Sequence, residues 1–498
     1  MCSRITGLLR DVAYGATFGT TGAFSAFVVA FTIPNIFRRV FGEGALSEAF
    51  VPLFNEKLEQ DGKPSAFRFL STVLTLTAAA LVAVVVLGVI VCLVLQPLFP
   101  NGHANTTLRL LPVMLPYTLF ICLFGLLCGV LNSFRHFAMP ALAPILLNVV
   151  LIIATLFVCP RLGTQPDEQL FGLAVAVVVA GILQLAILLP VLRRFGFVLT
   201  RVKGLLTPDI RRLSKLMVPG IVGASIYQIN VMCDRILALS LESWAAAALF
   251  YSERLVYLPV GVFAVALSAA SLPLMSRAVA AGRQEEVVDA IGYGLRHVIF
   301  LSVPCVLVLM MLGQEVITLL FGRGSFDDAS LRQTFAALLF YVPGIPAFAA
   351  VKIVRAGFYS HQDMKTPVKV GVFCLILNIV LSLILMDPLG HRGLALSTTI
   401  AAWVNVLVLG FLLCRRLRPP AAALRPVVLS VLRVIAAAVA AGFLIAYFKP
   451  IVVAEFFSDA ITLVISLVAA SVTYLAVLTV LSGREPFELI AVVRRKTR

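Results

Sequence analysis

The sequence predicts an all-α membrane protein that crosses a bilayer many times. Of its 498 residues, 61% are hydrophobic and only 13% are charged, and the mean hydropathy is +1.03. A soluble domain cannot hide that much apolar surface from water. A membrane β-barrel would show short segments of alternating polarity. This chain has long apolar runs of about 20 residues instead, which is the length of a helix that spans a bilayer.

About fourteen such runs are separated by loops, and each is predicted to be one span. They lie near residues 3–18, 24–54, 68–98, 107–134, 140–160, 169–193, 213–239, 244–276, 287–313, 331–359, 367–386, 393–414, 426–447 and 457–482.

The lysines and arginines are divided unequally between the two sets of loops. One set holds Arg135 and the basic residues of 57–68, 193–215, 277–296, 365–369 and 415–425, and the C-terminal tail adds five more. The opposite set holds only Arg109, Arg161, Arg323, Arg332, Arg392 and Lys449. Because cytoplasmic loops carry the excess of positive charge, both termini are predicted to be cytoplasmic.

A short pattern occurs in both halves of the chain. The motif ALSxAxxPL at residues 45–53 recurs at residues 266–274, and Ser133 and Pro140 are matched by Ser360 and Pro367. A repeat of six spans preserves orientation, so we expect two lobes related by an axis along the membrane normal, with a central site. The predicted parts are an N-lobe at 1–198, a C-lobe at 199–418, and two extra helices with a basic tail at 419–498.

Composition argues against several classes of function. The net charge is +16, but the basic residues lie in loops between apolar runs, so no nucleic-acid partner is expected. The nine cysteines are scattered without a CxxC pair and the five histidines do not cluster, so neither a disulfide framework nor a cysteine–histidine metal site is predicted. The sequence contains no nucleotide-binding motif. Neither an enzymatic reaction nor a resident cofactor is expected.

Charged side chains interrupt the apolar first fifty residues. They are Arg4, Arg10, Asp11, Arg38, Arg39, Glu43 and Glu48. A charge in lipid is costly, so such residues usually face a bundle interior or a water-filled cavity and mark a substrate path. Arg10 lies within a span and is predicted to face the cavity. Arg4 and Asp11 share a helix face, but Arg4 is also placed to extend to the cytoplasmic interface.

The second span adds a candidate ligand residue. Arg39 and Glu43 are four residues apart, which predicts a structural ion pair and leaves Arg38 for a ligand. The adjacent Pro34 and Asn35 are expected to bend the helix and expose backbone groups to the cavity.

The second half of the chain has its own charged span. Arg254 lies near Tyr257, Pro259 and Gly261, and it is predicted to be the counterpart of the charged face in the first half. The alternative is an ion pair of Arg254 with Glu253 or with Asp234.

Several strings resemble the MurJ (MviN) family of lipid II flippases. They read SRITGLLRD (3–11), AFTIPNIFRRVFGEGALSEAFVP (30–52), GVLNS (129–133), APILLN (143–148), LFGRGSF (320–326) and GFYSHQDMKTPV (357–368). The resemblance implies the fourteen-helix fold of the MOP exporter superfamily, with two six-helix lobes around a cationic cavity and two further helices that add a groove for a polyprenyl tail.

The resemblance also implies roles for particular residues. Arg10, Arg38 and Arg254 match arginines that bind the diphosphate of lipid II, and a guanidinium suits phosphate because it binds two oxygens and stays charged. The expected cavity or structural support comes from Arg4, Asp11, Asn35, Arg39, Glu43 and Tyr257. Some relatives bind sodium, and the matching oxygen donors here are Asp234, Asn378, the carbonyl of Leu394, and Thr398.

Two departures from the family pattern bear on energy coupling. Ser25 stands where relatives commonly have aspartate, which weakens proton coupling through the second span. Ser382 stands where some relatives have an acidic residue, which weakens sodium coupling.

The function that these observations favour is transport rather than catalysis. The chain is expected to flip lipid II, the undecaprenyl-diphosphate-linked disaccharide-pentapeptide, across the bacterial cytoplasmic (inner) membrane by alternating access. Membrane lipids are expected partners and the cell-wall synthesis machinery is a candidate partner. The alternatives are a cation-coupled drug exporter, a flippase for another polyprenyl-linked oligosaccharide, or a membrane scaffold for cell-wall synthases.

Overall fold

The computed structural model describes residues 2–42, 44–200, 204, 207–455 and 459–481, without the side chains of 2, 45, 219, 222, 448–455, 459–467 and 470. These residues form helices joined by loops, and none of them lies in a β-strand, which confirms the all-α prediction. The first helices are α1 (Cys2–Phe18), α2 (Gly22–Phe37), α3 (Ala45–Gln60), α4 (Gly62–Leu95), α5 (His103–Met114), α6 (Pro116–Ser133), α7 (Ala138–Ile153), α8 (Pro166–Arg194) and α9 (Pro208–Leu241). The others are α10 (Ala245–Pro259), α11 (Val265–Ala280), α12 (Gln284–Met311), α13 (Gly313–Phe321), α14 (Asp328–Tyr341), α15 (Ile345–Ser360), α16 (Lys365–Leu389), α17 (His391–Leu417), α18 (Ala421–Glu455) and α19 (Asp459–Val480).

Within the described residues, eleven helical segments are long and apolar enough to cross a membrane, or twelve if a bent pair in α9 counts as one span. The predicted count of fourteen is therefore not confirmed. The predicted first span corresponds to α1, which has only 17 residues and carries Arg4, Arg10 and Asp11. The predicted last span, near 457–482, extends beyond the described residues at both ends.

Large apolar side chains cover the outer faces of the long helices. On α4, for example, Leu87 is 62% exposed and Val94 is 64% exposed. Surfaces of this kind suit hydrocarbon rather than water, because lipid tails carry no cost for contact with leucine and valine.

Contacts between helices divide the chain into two compact units. The first is Met1–Ala247 with Arg323–Phe326, and the second is Ala248–Gly322 with Asp327–Arg498. In the first unit, α9 is joined to α3 by two ion pairs, Lys57 with Asp209 and Arg212 with Glu56, each at 2.9 Å. Helix α9, which the predicted domain division assigns to the C-lobe, therefore groups by contact with the N-terminal helices. The division at 198 and 199 follows the repeat and stays a prediction.

Backbone irregularities recur at matching positions of the predicted internal repeat. A π-helical turn follows α2 at Arg38–Gly42, and another follows α10 at Val260–Ala264, directly before the repeated motif in each case. Such turns are rare and are frequent at functional sites. The turn after α6 has a left-handed residue at Arg135 (φ +59°), and the turn after α15 has its match at Gln362 (φ +58°).

Equivalent hydrogen bonds hold each copy of the repeat together. The hydroxyl of Ser47 donates to the carbonyls of Gly42 (2.6 Å) and Gly125 (3.5 Å) in the first unit. The hydroxyl of Ser268 donates to the carbonyl of Lys352 (3.2 Å) in the second. The two copies therefore share one packing arrangement, in which Gly125 of α6 corresponds to Lys352 of α15. The axis that relates the copies stays a prediction.

Candidate anion-binding site

Arg10 is buried in the first unit and already has an anion beside it. Its Nε and Nη2 atoms donate to Oδ1 of Asp11 at 3.0 and 2.7 Å, and its Nη1 donates to Oδ1 of Asn148 at 3.0 Å. The guanidinium carbon also lies 5.5 Å from the centre of the Tyr14 ring. Arg10 is 8% exposed and Asp11 is 2% exposed. Arg10 is therefore paired with a carboxylate of its own helix.

Asn148 on α7 positions this pair, and the sequence reasoning did not single it out as a site residue. Its Nδ2 atom donates to the carbonyl of Ser3 (3.2 Å) and to the hydroxyl of Thr6 (3.0 Å). Because its carbonyl oxygen accepts from Arg10, Asn148 fixes α1 against α7 and holds the guanidinium at one orientation. The available signal was an amide within the apolar run 140–160, since a buried amide needs hydrogen-bond partners.

Arg38 occupies the first position of the π-helical turn that follows α2. Helix α2 continues through Pro34, and the N–H of Arg38 donates to the carbonyls of both Pro34 and Asn35. The irregularity predicted at Pro34 and Asn35 thus appears just after them. The amide of Asn35 donates back to the carbonyl of Phe31 at 2.8 Å. The Arg38 side chain is half-buried at this widened turn.

The other predicted support residues of the first half differ in environment. Arg4 is exposed, whereas Asp11 is buried. The two residues therefore lie in different environments although they share a helix face. Arg39 is exposed. Glu43 lies outside the described residues, so the predicted ion pair between Arg39 and Glu43 stays a prediction.

Arg254 lies in the second unit, on α10. It is exposed, and its guanidinium carbon lies 4.5 Å from the centre of the Phe250 ring, within the range of a cation–π contact. Glu253 accepts a hydrogen bond from Oη of Tyr341 at 3.3 Å. One turn after Arg254, the ring of Tyr257 packs against Phe348 of α15 at 5.4 Å. The structure thus joins Tyr257, one turn after Arg254, to a face of α15 that the sequence reasoning passed over.

That face of α15 carries two cations, Lys352 and Arg355, inside the predicted span 331–359. Both are half-buried. The sequence reasoning missed them because only loop cations were counted there. Two cations within a single apolar run were the signal, since charges inside a span usually mark a ligand path.

Three of the four predicted sodium ligands meet in the second unit. Nδ2 of Asn378 donates to Oγ1 of Thr398 (3.2 Å), and that hydroxyl donates to the carbonyl of Leu394 (3.0 Å). Ser382, which is fully buried, is 2.7 Å from the hydroxyl of Ser397 and 3.5 Å from Oδ1 of Asn378. This oxygen-rich cluster fits a hard cation in donor type, although its groups are already hydrogen-bonded to one another.

The fourth predicted sodium ligand, Asp234, belongs to the first unit. It is buried on α9 and accepts a hydrogen bond from Asn230 at 3.4 Å. Among the residues that the structure describes, no group of three or more His, Cys, Asp or Glu side chains could hold a metal ion.

Ser25 has a structural contact that the sequence did not reveal. It is fully buried in the first unit, and its hydroxyl accepts a hydrogen bond from the N–H of Ala247 at 3.1 Å. Ala247 is in the first turn of α10, where backbone N–H groups lack partners within the helix. Ser25 therefore caps the start of α10 from α2.

Comparison with known proteins identifies relatives over most of the chain. The family described as "Lipid II flippase MurJ" matches residues 14–479. A probable lipid II flippase MurJ of Rhizobium tropici is 34% identical over 421 residues, which are 83% of this chain and 79% of the relative. The lipid II flippase MurJ of Burkholderia cenocepacia is 34% identical over 419 residues, which are 82% of this chain and 80% of the relative.

Solved structures share the fold. The lipid II flippase MurJ in an inward closed conformation superposes with a TM-score of 0.79 at 24% identity and covers 98% of both chains. An inward-facing MATE multidrug resistance transporter of the MOP superfamily gives a TM-score of 0.69 at 16% identity, covering 84% of this chain and 94% of that one.

Proposed function

The chain belongs to the Lipid II flippase MurJ family, and we propose on this basis that it flips lipid II from the cytoplasmic to the outer leaflet for peptidoglycan synthesis. It is a transporter rather than an enzyme, and a multi-pass protein of the bacterial inner membrane. The observation that carries the proposal is the family match over residues 14–479 together with relatives of that function at 34% identity.

We infer that Arg10, Arg38 and Arg254 bind the diphosphate of the cargo. The burial and hydrogen bonding of Arg10 and the exposure of Arg254 support different duties for the two. Arg254 is exposed on α10, whereas Arg10 must exchange its bond to Asp11 for one to phosphate. Such an exchange keeps the guanidinium paired in both states, and leaving it buried without an anion would be costly. Alternating access then follows if cargo binding favours a second arrangement of the helices.

The energy source is proposed to be the membrane potential or an ion gradient. One charge that crosses 100 mV is worth about 2.3 kcal/mol. The oxygen cluster of Asn378, Leu394 and Thr398, with Asp234, is the proposed sodium site. Because Asp234 is its one formal negative charge, we expect only modest sodium dependence. A fall of about tenfold or more in flipping when choline replaces sodium would contradict this.

Two rivals within transport share the fold class. A cation-coupled drug exporter is consistent with the MATE-like fold, but Arg254, Lys352 and Arg355 in the second unit suit an anion rather than a cationic drug. A flippase for another polyprenyl-linked oligosaccharide would also use cations for its diphosphate, and only a transport assay with each cargo separates the two. A scaffold for cell-wall synthases would have no use for cations inside the spans.

The experiment replaces each of the three arginines in cells depleted of their own flippase and measures lipid II in the outer leaflet. Arg38→Ala and Arg254→Ala should abolish flipping at normal abundance. Arginine-to-lysine variants at all three sites should retain part of it, because lysine keeps the charge but loses the two-pronged geometry. Arg10 is tested through lysine, since alanine would leave Asp11 buried without its ion pair. The matched control is Arg161→Ala, at an exposed loop. Full complementation by Arg38→Met or Arg254→Met would overturn the diphosphate assignment.

A further inference from the structure

Helix α15 has one face that is less buried than the rest of the helix. Phe348, Lys352 and Arg355 follow one another at spacings of four and three residues and are half-buried, and Tyr359 continues the same stripe and is exposed. The intervening residues 353, 354 and 356–358 are buried against neighbouring helices. Spacings of three and four place side chains on one side of a helix. The two cations therefore lie on a common, half-buried face.

This face continues the surface that carries Arg254. The Tyr257 and Phe348 rings join α10 to α15, and Arg254 lies one turn before Tyr257. At a rise of 1.5 Å per residue, Lys352 lies about 6 Å and Arg355 about 10 Å along α15 from Phe348. The second unit thus presents a row of three cations on adjoining helices, in which Arg355 is the farthest from the aromatic contact.

Lys352 and Arg355 lie one turn apart on α15, so each adds positive charge to the surroundings of the other. Neither cation forms an ion pair with any residue that the structure describes. Nε of Arg355 is buried and has no hydrogen-bond partner within the described part of the chain. Two close cations with an unsatisfied buried donor are unfavourable by themselves, and an anion would relieve both costs.

The internal repeat shows that the fold does not require these charges. The hydrogen bonds of Ser47 and Ser268 make Gly125 the counterpart of Lys352, and the same alignment makes Cys128 the counterpart of Arg355. Glycine and cysteine at the equivalent positions give the same helix packing without charge. The cations of α15 are therefore an addition to the second unit rather than part of the shared scaffold.

We propose that Lys352 and Arg355 form a second anion-binding subsite, which receives acidic groups of the cargo other than the diphosphate, namely the carboxylates of its peptide. The proposal rests on the proposed lipid II function and specifies how that cargo is recognised. A lysine and an arginine one turn apart can each bind one carboxylate, the arginine with two parallel hydrogen bonds. The diphosphate is the other anionic source, and the experiment distinguishes the two.

The test measures equilibrium binding of the purified full chain in lipid nanodiscs to three ligands. These are lipid II, undecaprenyl diphosphate, and lipid II whose peptide carboxylates have been converted to amides. The variants are Lys352→Met, Arg355→Met and the double variant. The matched control is Lys369→Met, an exposed lysine on α16. Lys352→Gln and Arg355→Gln repeat the test with polar side chains, and a thermal melt of each variant establishes that it is folded.

The double variant should bind lipid II at least about tenfold more weakly, with undecaprenyl diphosphate affected less than about twofold. Amidation should weaken binding to the wild-type chain by a similar factor and should not weaken the double variant further. Equal losses for lipid II and undecaprenyl diphosphate would overturn the proposal in favour of diphosphate contacts, and unchanged affinity for lipid II would overturn it outright. If the wild-type chain binds undecaprenyl diphosphate but neither form of lipid II, the proposed function itself fails, which is a distinct result.

Discussion

At the scale of single residues, the contacts of Arg10 connect packing to transport. The guanidinium is shared between Asp11 and Asn148, so one arginine both joins α1 to α7 and remains the candidate ligand of a phosphate. A buried arginine of this kind is sensitive to the charge of its neighbours, because the interaction of charges is strong where water is excluded.

Asn148→Asp should reduce flipping. A second carboxylate at Nη1 would hold Arg10 more tightly and would repel an anionic cargo. It keeps the size of the side chain and can accept from the Thr6 hydroxyl, but it loses the hydrogen bond to the Ser3 carbonyl, so abundance is measured alongside flipping. The outer-leaflet lipid II assay, with immunoblotting for abundance, measures both. Asn101→Asp adds the same charge at an exposed loop position and should be silent. Full activity of Asn148→Asp would remove Arg10 from the phosphate site.

Ser25→Ala should lower the stability of the protein by about 1–3 kcal/mol, because the buried N–H of Ala247 loses its acceptor. Flipping should be unaffected by this change, since serine carries no transported proton. The structure adds the expected loss of stability, because it shows the hydrogen bond that the change removes. Thermal unfolding of the purified variant measures it, with Ser240→Ala on the exposed face of α9 as control. Equal melting temperatures for both variants would show that the capping bond contributes nothing.

At the scale of elements, one turn on the predicted cytoplasmic side is held by a charged side chain. The turn between α15 and α16 is fixed by Asp363, whose carboxylate accepts from the N–H of Thr366 (3.0 Å), the hydroxyl of Thr366 (2.8 Å) and Arg416 of α17 (2.9 Å). Burial opposes ionisation, but the hydrogen bonds from Thr366 and the charge of Arg416 outweigh it. The pKa of Asp363 is therefore lowered below its usual range.

The contribution of Asp363 to stability should depend on pH. Because its pKa in the folded state is below the unfolded value of about 3.9, its stabilisation is fully present above that value and is lost as the pH falls through the folded pKa. Asp363→Asn should cost about 1 kcal/mol at pH 7 and progressively less in acid. Thermal unfolding at several pH values tests this, with Glu285→Gln, at an exposed position, as control. A cost that stays constant down to pH 3 would contradict the sign of the shift.

The two π-helical turns are the other informative elements. Each falls where a helix leads into the repeated motif, and Arg38 lies directly in the first. A π-helical turn adds a residue and redirects side chains, so the position of Arg38 depends on this local geometry. Hydropathy does not predict such a turn, because the segment stays helical and apolar on either side of it.

At the scale of the whole molecule, both termini of the chain are predicted to lie on the cytoplasmic side of the membrane. Cysteine labelling of a cysteine-free variant tests it on loops from the two predicted sides. The cysteines are introduced at the exposed Asn101 and Arg194 rather than at the neighbouring loop residues Gly102 and Gly196. Those glycines have left-handed backbones (φ +83° and +90°), which would strain a cysteine.

Cysteines introduced at Asn101 and Arg194 should react with a membrane-impermeant reagent from opposite sides, the first from outside and the second only after the cells are opened. A cysteine at exposed Arg161, on a loop predicted to be outside, is a control for reagent access. Labelling of both test positions from the same side would contradict the predicted topology.

The sequence by itself determined the class of protein, most of the apolar spans among the described residues, and the family. These properties follow from hydropathy, charge and short motifs, which can be read from the sequence without knowing which residues are in contact. It also picked out Arg10, Arg38 and Arg254 as cations inside spans. Only the tertiary structure decided their surroundings: that Arg10 is bound by Asn148 of α7, that Ser25 caps α10, and that Lys352 and Arg355 share a half-buried face of α15. The physical reason is that a helix presents every residue to one side or another, and which side meets protein, lipid or ligand depends on packing between segments far apart in the chain.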